Sequence, residues 1–314
     1  MGKYEIIDRR NINLIMVNYA KKFKKFWPLF TLMLPAIIYV IIFSYGPMYG
    51  LIIAFKNFRP KLGYWGSEWV GLQHFRRFLS YPDFWELIRN TLSISIYSFL
   101  TFPIAIIFAL LLNEVKNERF KKTVQMVTYA PHFVSTVVLC GMIALFVDRD
   151  GILGRMYEMV TGESQNLLTI PKFFSSIYVW SGVWQGTGWG AIIYMAALAG
   201  VPAELVEAAR IDGAGRVKVI WHVNIPSILP TIVIMLIMNT GHILSVGFDK
   251  IYLLQNNLNL DVSSVVATYT YQIGLIGGQY SYSTAIGLFN TLVNVSMILL
   301  SNTICKKLSG TGLW

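Results

Sequence analysis

The sequence contains few of the residues from which catalytic and metal sites are built. Only 4 of its 314 residues are histidine and 2 are cysteine. Cys140 and Cys305 lie in separate apolar runs without metal-ligand or redox spacing, and they are predicted to be small packing residues. The sequence has no G-x-x-x-x-G-K-[ST] phosphate loop, H-E-x-x-H helix, paired C-x-x-C or G-x-S-x-G elbow. We therefore predict no catalytic residue, no metal site and no ATP hydrolysis by this chain itself.

Charged residues are also scarce, at 13% of the chain, whereas 55% of the residues are hydrophobic. Together with a mean hydropathy of +0.54, this composition leaves too little polar surface for a soluble globule of this length. The net charge of +10 does not indicate nucleic-acid binding, because lysines and arginines cluster beside apolar runs rather than along one polar face. The sequence predicts an all-α integral membrane protein.

Six apolar stretches are long enough to cross a bilayer, which needs about 20 apolar residues. The second contains Pro103, which predicts a kink, and a short helix is predicted at Gln73–Leu79 in the loop before it. Lysine and arginine are in excess on the side that carries the termini, so both termini are predicted to be cytoplasmic. The six spans are predicted at about residues 28–55, 84–112, 123–146, 173–198, 227–254 and 282–305.

The domain organisation follows from these spans. Residues 1–27 form a basic cytoplasmic tail, residues 28–306 a six-helix membrane domain with its core at about 85–306, and residues 307–314 a short C-terminal tail. No tandem repeat or low-complexity linker divides the chain.

Residues Val201–Pro230 form a charged, glycine-punctuated interruption between two apolar spans. Pro202 suits the first turn of a helix that runs to about Arg210, glycines stop it, and a second short helix is predicted over Arg216–Val223. This elbow has an apolar face suited to docking, made by Val206, Ile211, Val217, Ile220 and Trp221. The alternative is an amphipathic elbow on lipid headgroups, with Arg210, Arg216 and Lys218 facing phosphates.

The elbow contains Glu207-Ala208-Ala209, three residues, Gly213, nine residues and Val223-x-Ile225-Pro226. This pattern resembles the EAA signature of ABC-importer permeases, usually written EAA, three residues, G, nine residues, I-x-L-P; only the two aliphatic positions differ. The resemblance implies the type I ABC importer permease fold and a coupling helix pair that inserts into a groove on the ATP-hydrolysing subunit. It assigns that contact to Glu207, Ala208, Ala209, Asp212, Gly213, Ala214 and Pro226.

The second distinctive stretch is Trp180–Gly190. Gly182, Gly186 and Gly190 recur every four residues, and this spacing predicts a helix face that a neighbouring backbone can approach closely. On other faces of the same helix lie Trp180, Trp184 and Gln185, which suit sugar rings because aromatic faces and amides match their apolar faces and hydroxyl rims. An aromatic belt at the outer interface is the alternative. Trp184 and Gln185 are favoured for a cavity because they lie deeper.

Polar residues inside other spans indicate faces turned toward the protein interior, because such groups are costly in hydrocarbon. Asn239, His242 and Ser245 recur on one face of the fifth span, and the first two are candidates for the substrate path. Asn290 and Asn294 in the sixth span are predicted to form helix-to-helix hydrogen bonds. His132 is predicted to make a structural hydrogen bond, with substrate contact as the alternative.

Leu34–Phe58 and Gly278–Trp314 look like the carbohydrate-importer permeases of the MalF-like branch, in particular the LplB and YteP type associated with polysaccharide-derived oligosaccharides. This resemblance implies a bacterial cell-membrane location and a heterodimer with a second, related permease. It also implies two copies of a cytoplasmic ATPase, which would hold ATP and Mg, and an extracytoplasmic solute-binding protein. No cofactor is expected in this chain.

Two other function classes stay open at this point. A polytopic enzyme acting on lipid-linked sugar would need paired carboxylates, and Asp148, Asp150 and Glu158 form the nearest such set. A secondary transporter would need buried carboxylates, which the predicted spans largely lack. Basic outer-loop residues such as Arg76, Arg77 and Lys250 are compatible with an acidic oligosaccharide, with lipid headgroups or with the binding protein.

Overall fold

The computed structural model describes residues 9–314, with side chains from residue 25 onward. Of the predicted basic tail, residues 1–8 lie outside the described residues, and from Arg9 the backbone is already helical. The first membrane segment comprises α1 (Arg9–Val40), a π-helical turn (Ile41–Tyr45), α2 (Gly46–Met48) and a 3-10 helix (Tyr49–Phe55).

A loop region follows, and it contains the short helix predicted at Gln73–Leu79. Its elements are β1 (Lys56–Asn57), α3 (Gly63–Gly66), β2 (Glu68–Trp69) and α4 (Gln73–Leu79). The two strands pair antiparallel, with Lys56 opposite Trp69. The second span is α5 (Phe84–Leu100) and α6 (Phe102–Asn113), interrupted at Thr101, two residues before Pro103.

The rest of the chain is helical, with breaks inside or beside several spans. The elements are α7 (Glu118–Tyr129), a 3-10 helix (Ala130–Phe133), α8 (Thr136–Val147), α9 (Ile152–Thr161), a 3-10 turn (Leu167–Thr169), α10 (Pro171–Ala199), α11 (Ala203–Ile211), α12 (Arg216–Val219), a π-helical turn (Ile220–Asn224) and α13 (Ile225–Thr240). They continue with α14 (Phe248–Leu254), α15 (Leu260–Ser263), α16 (Val266–Tyr271), a π-helical turn (Gln272–Ile276) and α17 (Tyr280–Ser309).

Within the described residues, four helices are long and apolar enough to cross a membrane: Lys25–Phe55, Phe84–Asn113, Arg216–Thr240 and Tyr280–Ser309. Two bent pairs pass the same test together, and the number of spans is six if each pair is one span. These pairs are Glu118–Phe133 with Thr136–Thr161, bent by 100°, and Pro171–Ala199 with Ala203–Ile211, bent by 76°.

The fifth span differs from the predicted range of 227–254. It begins at Arg216 and ends at Thr240, and Phe248–Leu254 forms a separate helix. It begins early because a π-helical turn ends just before Pro226 and carries the helix past a residue that has no N–H to donate. It ends early because Asn294 of α17 accepts a hydrogen bond from Leu244 N–H at 3.1 Å, which satisfies backbone that has left the helix.

Helix α10 lies at the centre of the membrane domain. Toward its C-terminal end it packs against α6 and α13 in a core of Ile106, Ala109, Leu110, Ala191, Tyr194, Leu198 and Ile228. Near its N-terminus, Phe174 joins a second core with α8 and α14 that includes Leu139, Cys140, Ile143, Ile251 and Leu254. Cys140 is a buried free thiol, in agreement with its predicted packing role. By contrast, every side chain from residue 25 to 49 is exposed in this chain.

The glycine repeat of α10 is only partly a packing surface. A Cβ built at Gly190 would lie at an ordinary distance of 3.5 Å from the Cβ of Ala105, whereas no backbone atom of the described residues lies within 4 Å of the Cβ positions of Gly182 and Gly186. The close backbone approach occurs on another face, at Gly188, where a Cβ would overlap the carbonyl group of Thr128 in α7. The predicted close approach along the 182–186–190 face is therefore wrong, because the neighbouring helix crosses at Gly188.

We expect Gly188→Ala to lower the free energy of unfolding by about 1–3 kcal/mol, because its methyl group must displace the Thr128 carbonyl. Gly186→Ala is the matched control, since nothing lies within 4 Å of its Cβ position and alanine favours the helix by up to about 1 kcal/mol. Thermal unfolding of the detergent-purified protein measures both. Equal unfolding temperatures for the two variants would contradict the packing argument.

Candidate functional site

The elbow between the fourth and fifth spans is exposed. Helix α11 has no buried residue, and Ile211 exposes 86% of its surface. Pro202 stands at the N-cap rather than inside the first turn, and Glu204 lies in that turn, where the helix dipole favours a carboxylate. Among the predicted docking residues, Ile211, Val217 and Trp221 are exposed and Val206 and Ile220 are half-buried. The elbow therefore presents apolar side chains that the described part of the chain does not cover.

Gly213 ends the first helix of the elbow. Its φ is +80°, a left-handed conformation in which a side chain is strained. Gly213 N–H donates to Arg210 O at 3.0 Å and Ala214 N–H to Ala209 O at 2.9 Å, so the turn satisfies the last carbonyls of the helix. Gly215, by contrast, has a φ of −69° that any residue can adopt. Gly213 thus sets the angle between the two helices of the elbow.

The second helix of the elbow is continuous with the fifth span. Residues Arg216–Thr240 form one run of 25 residues with a π-helical turn inside it. At a rise of about 1.5 Å per residue, this run is about 37 Å long. It joins the elbow to Asn239 at the other end through a single continuous helix.

A cavity of about 590 Å³ lies between α5, α6, α10 and the C-terminal end of α13. Its lining brings together Gln185, Asn239, His242 and Ser245, which sequence reasoning had placed on two separate spans. It also includes polar groups that were not predicted: Ser95, Ser98, Thr101, Tyr178 and Tyr194. Ser95 and Ser98 are three residues apart in an apolar span, a spacing that could have identified them.

The two predicted tryptophans do not line this cavity. Trp180 and Trp184 are about half exposed, and Trp180 Nε1 donates to the hydroxyl of Tyr97 at 2.9 Å. Gly182 and Gly186 occupy the cavity wall instead. Residues two positions apart lie about 200° apart around a helix, so Trp180 and Trp184 point to the opposite side. Because the two glycines have no side chains, the cavity extends into the space beside them.

Hydrogen bonds hold several cavity residues in place. Gln185 Nε2 donates at 2.9 Å to Val134 O, in the break between the two helices of the third span. Asn239 Nδ2 donates to Met235 O of its own helix at 2.8 Å. Asn294 Nδ2 donates to Ser245 Oγ at 2.8 Å, while its Oδ1 accepts from Leu244 N. Backbone groups left unpaired where helices are interrupted therefore find their hydrogen-bond partners at or beside the cavity wall.

Within the part of the chain that the structure describes, His132 does not make the hydrogen bond predicted for it. Its ring stacks on Trp189, with ring centroids 4.4 Å apart and planes inclined by 3°. It is exposed and outside the cavity lining. An aromatic partner on the neighbouring helix takes the place of a polar one.

Lys250 contributes the cation of the cavity lining. It lies on α14, outside the candidate spans, and its side chain is only 9% exposed. Its Nζ donates to Tyr178 O at 2.8 Å and sits 4.8 Å from the centre of the Tyr178 ring. Burial lowers the pKa of Lys250 from its ordinary value to about 8.

A family model described as "Binding-protein-dependent transport system inner membrane component" matches residues 86–309. The chain belongs to this family. The resemblance drawn from the EAA pattern is thereby confirmed, and the chain is the membrane-embedded permease component of a transporter that works with a binding protein.

Two relatives from Bacillus subtilis (strain 168) are similar over most of their length. Protein LplB is 42% identical over 288 residues, covering 91% of each chain. The polygalacturonan/rhamnogalacturonan transport system permease protein YteP is 41% identical over 288 residues, covering 91% of this permease and 90% of the relative.

The fold matches a chain in the crystal structure of a bacterial ABC transporter involved in the import of the acidic polysaccharide alginate. The TM-score is 0.84 at 36% identity, covering 93% of this permease and 99% of that chain. A second crystal structure, of the alginate transporter in complex with alginate pentasaccharide-bound periplasmic protein, matches equally well. These matches confirm the predicted ABC importer permease fold.

Asn290 and Asn294 of α17 provide a test of the cavity wall. We expect Asn294→Leu to lower the free energy of unfolding by about 1–3 kcal/mol, because the N–H of buried Leu244 loses its acceptor. Asn290→Leu is the control: Asn290 Oδ1 is buried without a hydrogen-bond partner among the described residues, so its removal should be neutral or stabilising. Thermal unfolding distinguishes them, and an Asn294→Leu protein as stable as the parent would refute the role of this bond.

Proposed function

We propose that this permease imports an oligosaccharide as one half of a heterodimeric translocation path, driven by ATP hydrolysis in a separate subunit. The observation that carries the proposal is the cavity beside α10. Its hydroxyl and amide groups suit the hydroxyl rim of a sugar, and Phe99 and Phe102 supply flat apolar surface for a sugar ring. The polygalacturonan/rhamnogalacturonan transport named for YteP and the alginate import named for the alginate transporter support a carbohydrate substrate.

In this proposal Gln185, Asn239 and His242 contact the sugar. Gln185 comes from α10, Asn239 from the end of α13 and His242 from the turn that follows it, so the sugar would bridge two spans. Trp180 and Trp184 lie on the opposite side of α10, and we assign them to the interface with lipid or with the second permease.

The elbow is proposed as the contact to the ATPase, through Glu207, Ala208, Ala209, Asp212, Gly213, Ala214 and Pro226. Supporting this, the elbow is exposed and carries uncovered apolar side chains, and this sequence has no phosphate loop of its own. ATP and Mg would be bound by the ATPase pair on the cytoplasmic side, where we also place both termini. Closure of that pair would pull the elbows together and move Asn239 and His242 through the continuous helix Arg216–Thr240.

The remaining partners are a second, related permease and an extracytoplasmic solute-binding protein, in a bacterial cell membrane. The binding-protein partner is supported by the family description and by the periplasmic protein in the alginate transporter complex. The exposed apolar segment Lys25–Phe55 is available for lipid or for the second permease.

Purification of this permease from its native membrane tests the function. The expected result is co-purification of an ATPase and a second permease, together with ATP-dependent uptake of an oligosaccharide by proteoliposomes that also contain the solute-binding protein. Sugar uptake driven by an ion gradient without an ATPase would refute the proposal in favour of a secondary transporter. Chemical turnover of a lipid-linked sugar would refute it in favour of a membrane enzyme.

The geometry of the elbow predicts the effect of Gly213→Val. Valine is strained at a φ of +80°, so the two elbow helices must change their angle, and we expect a loss of uptake of about tenfold or more together with reduced retention of the ATPase in membranes. Gly215→Ala is the control, because a Cβ there meets nothing within 4 Å and its φ is ordinary. Unchanged uptake and unchanged ATPase retention in Gly213→Val would sink the coupling role.

A further inference from the structure

The charge of the cavity is one-sided. Among the described residues that line it, Lys250 is the only lysine or arginine, and no aspartate or glutamate is present. The ion pair found among the described side chains, Arg149 with Asp150, lies outside the cavity lining and does not involve Lys250. The cavity wall therefore carries a positive charge without a carboxylate to balance it.

The position of Lys250 makes this charge available to a ligand. Tyr178 O accepts one of the three ammonium protons, and the Tyr178 ring lies against the cation. Gly182, on the facing wall, leaves the space: a Cβ at Gly182 would stand 3.4 Å from Lys250 Nζ. Two donor hydrogens remain for a group that enters the cavity.

A purely structural role does not require a charge at this position. Lys250 tethers α14 to α10 through a single backbone carbonyl, which a neutral donor could also do. Burying an ammonium without a counter-charge is costly, and an anion that pairs with it recovers that cost. A charge-assisted hydrogen bond to a carboxylate is roughly twice as strong as a neutral one.

We infer that Lys250 is the specificity-determining residue by which this cavity selects sugars that carry a carboxylate, such as a uronic-acid oligosaccharide. The inference rests on the proposed function, because it names the substrate class of the same cavity. The alginate transporter, whose permease shares this fold at 36% identity, is described as importing an acidic polysaccharide. In this permease the carboxylate of one sugar residue would pair with Lys250 while hydroxyl groups meet Gln185 and Asn239.

The test measures initial uptake by the complete importer in proteoliposomes, with its own binding protein present. The sugars are a galacturonate trimer, its neutral methyl ester and a neutral arabinose trimer. The variants are Lys250→Met, Lys250→Arg and, as a control, Lys172→Met. Lys172 also lies over an aromatic ring, that of Phe173 at 5.0 Å, but it is exposed and outside the cavity. Each uptake rate is divided by that of the parent, which cancels the preference of the binding protein.

We expect Lys250→Met to reduce uptake of the galacturonate trimer by about tenfold or more, because the loss of one hydrogen bond to a charged group has an effect of this size. Uptake of the neutral sugars should change by less than about twofold by the same measure, since no charge is involved. Lys250→Arg should restore most of the acidic uptake, and Lys172→Met should resemble the parent for every sugar.

Four results would overturn the inference. Equal losses for acidic and neutral sugars in Lys250→Met would make Lys250 a structural tether only. Undiminished uptake of the galacturonate trimer in that variant would remove its role altogether. A parent importer that takes up only neutral sugars would refute the selection of acidic sugars while leaving the proposed import function intact. Uptake of no sugar at all would contradict both proposals.

Discussion

Backbone groups that leave a helix inside a membrane protein need a hydrogen-bond partner within the protein, because hydrocarbon provides none. In this permease, side chains from other helices supply those partners. Gln185 donates to Val134 O in the break between α7 and α8, and Asn294 accepts from Leu244 N beyond the end of α13. Asn90 of α5 donates to the carbonyls of Asp261 and Ser264 around α15. These three irregular segments are each held by a side chain from a helix distant in sequence.

The same requirement places the cavity. A helix break leaves irregular backbone, and irregular backbone is tolerated where it is buried or lines a polar space. Gln185 and Ser245 both line the cavity, and both also form hydrogen bonds at a helix interruption. Under the proposed function, stability and sugar binding would draw on the same side chains, and a substitution at either residue would affect both.

The elbow and the cavity are joined mechanically by the helix Arg216–Thr240. Its π-helical turn lets the helix continue past Pro226 without ending. In a regular α-helix, a proline at this position would remove a backbone hydrogen bond and clash with the preceding turn. One end of this helix adjoins the left-handed Gly213 and the other carries Asn239. The proposed coupling role uses this stiff connection, because a flexible loop would absorb a displacement of the elbow before it reached the cavity.

Much of the local structure is determined by the sequence alone. The helix at Gln73–Leu79, the turn at Gly213 and the interruption near Pro103 follow from backbone preferences that act over a few residues, and the apolar runs determine the membrane class.

Only the tertiary structure decided which helix faces pack against each other. It turned Gln185 and the glycines toward the cavity and Trp180 and Trp184 away from it, and it placed the tight crossing at Gly188. It also ended the fifth span at Thr240 and brought Lys250 to the cavity wall. Helical spacing defines which residues share a face, but the neighbour that covers that face comes from a distant part of the chain.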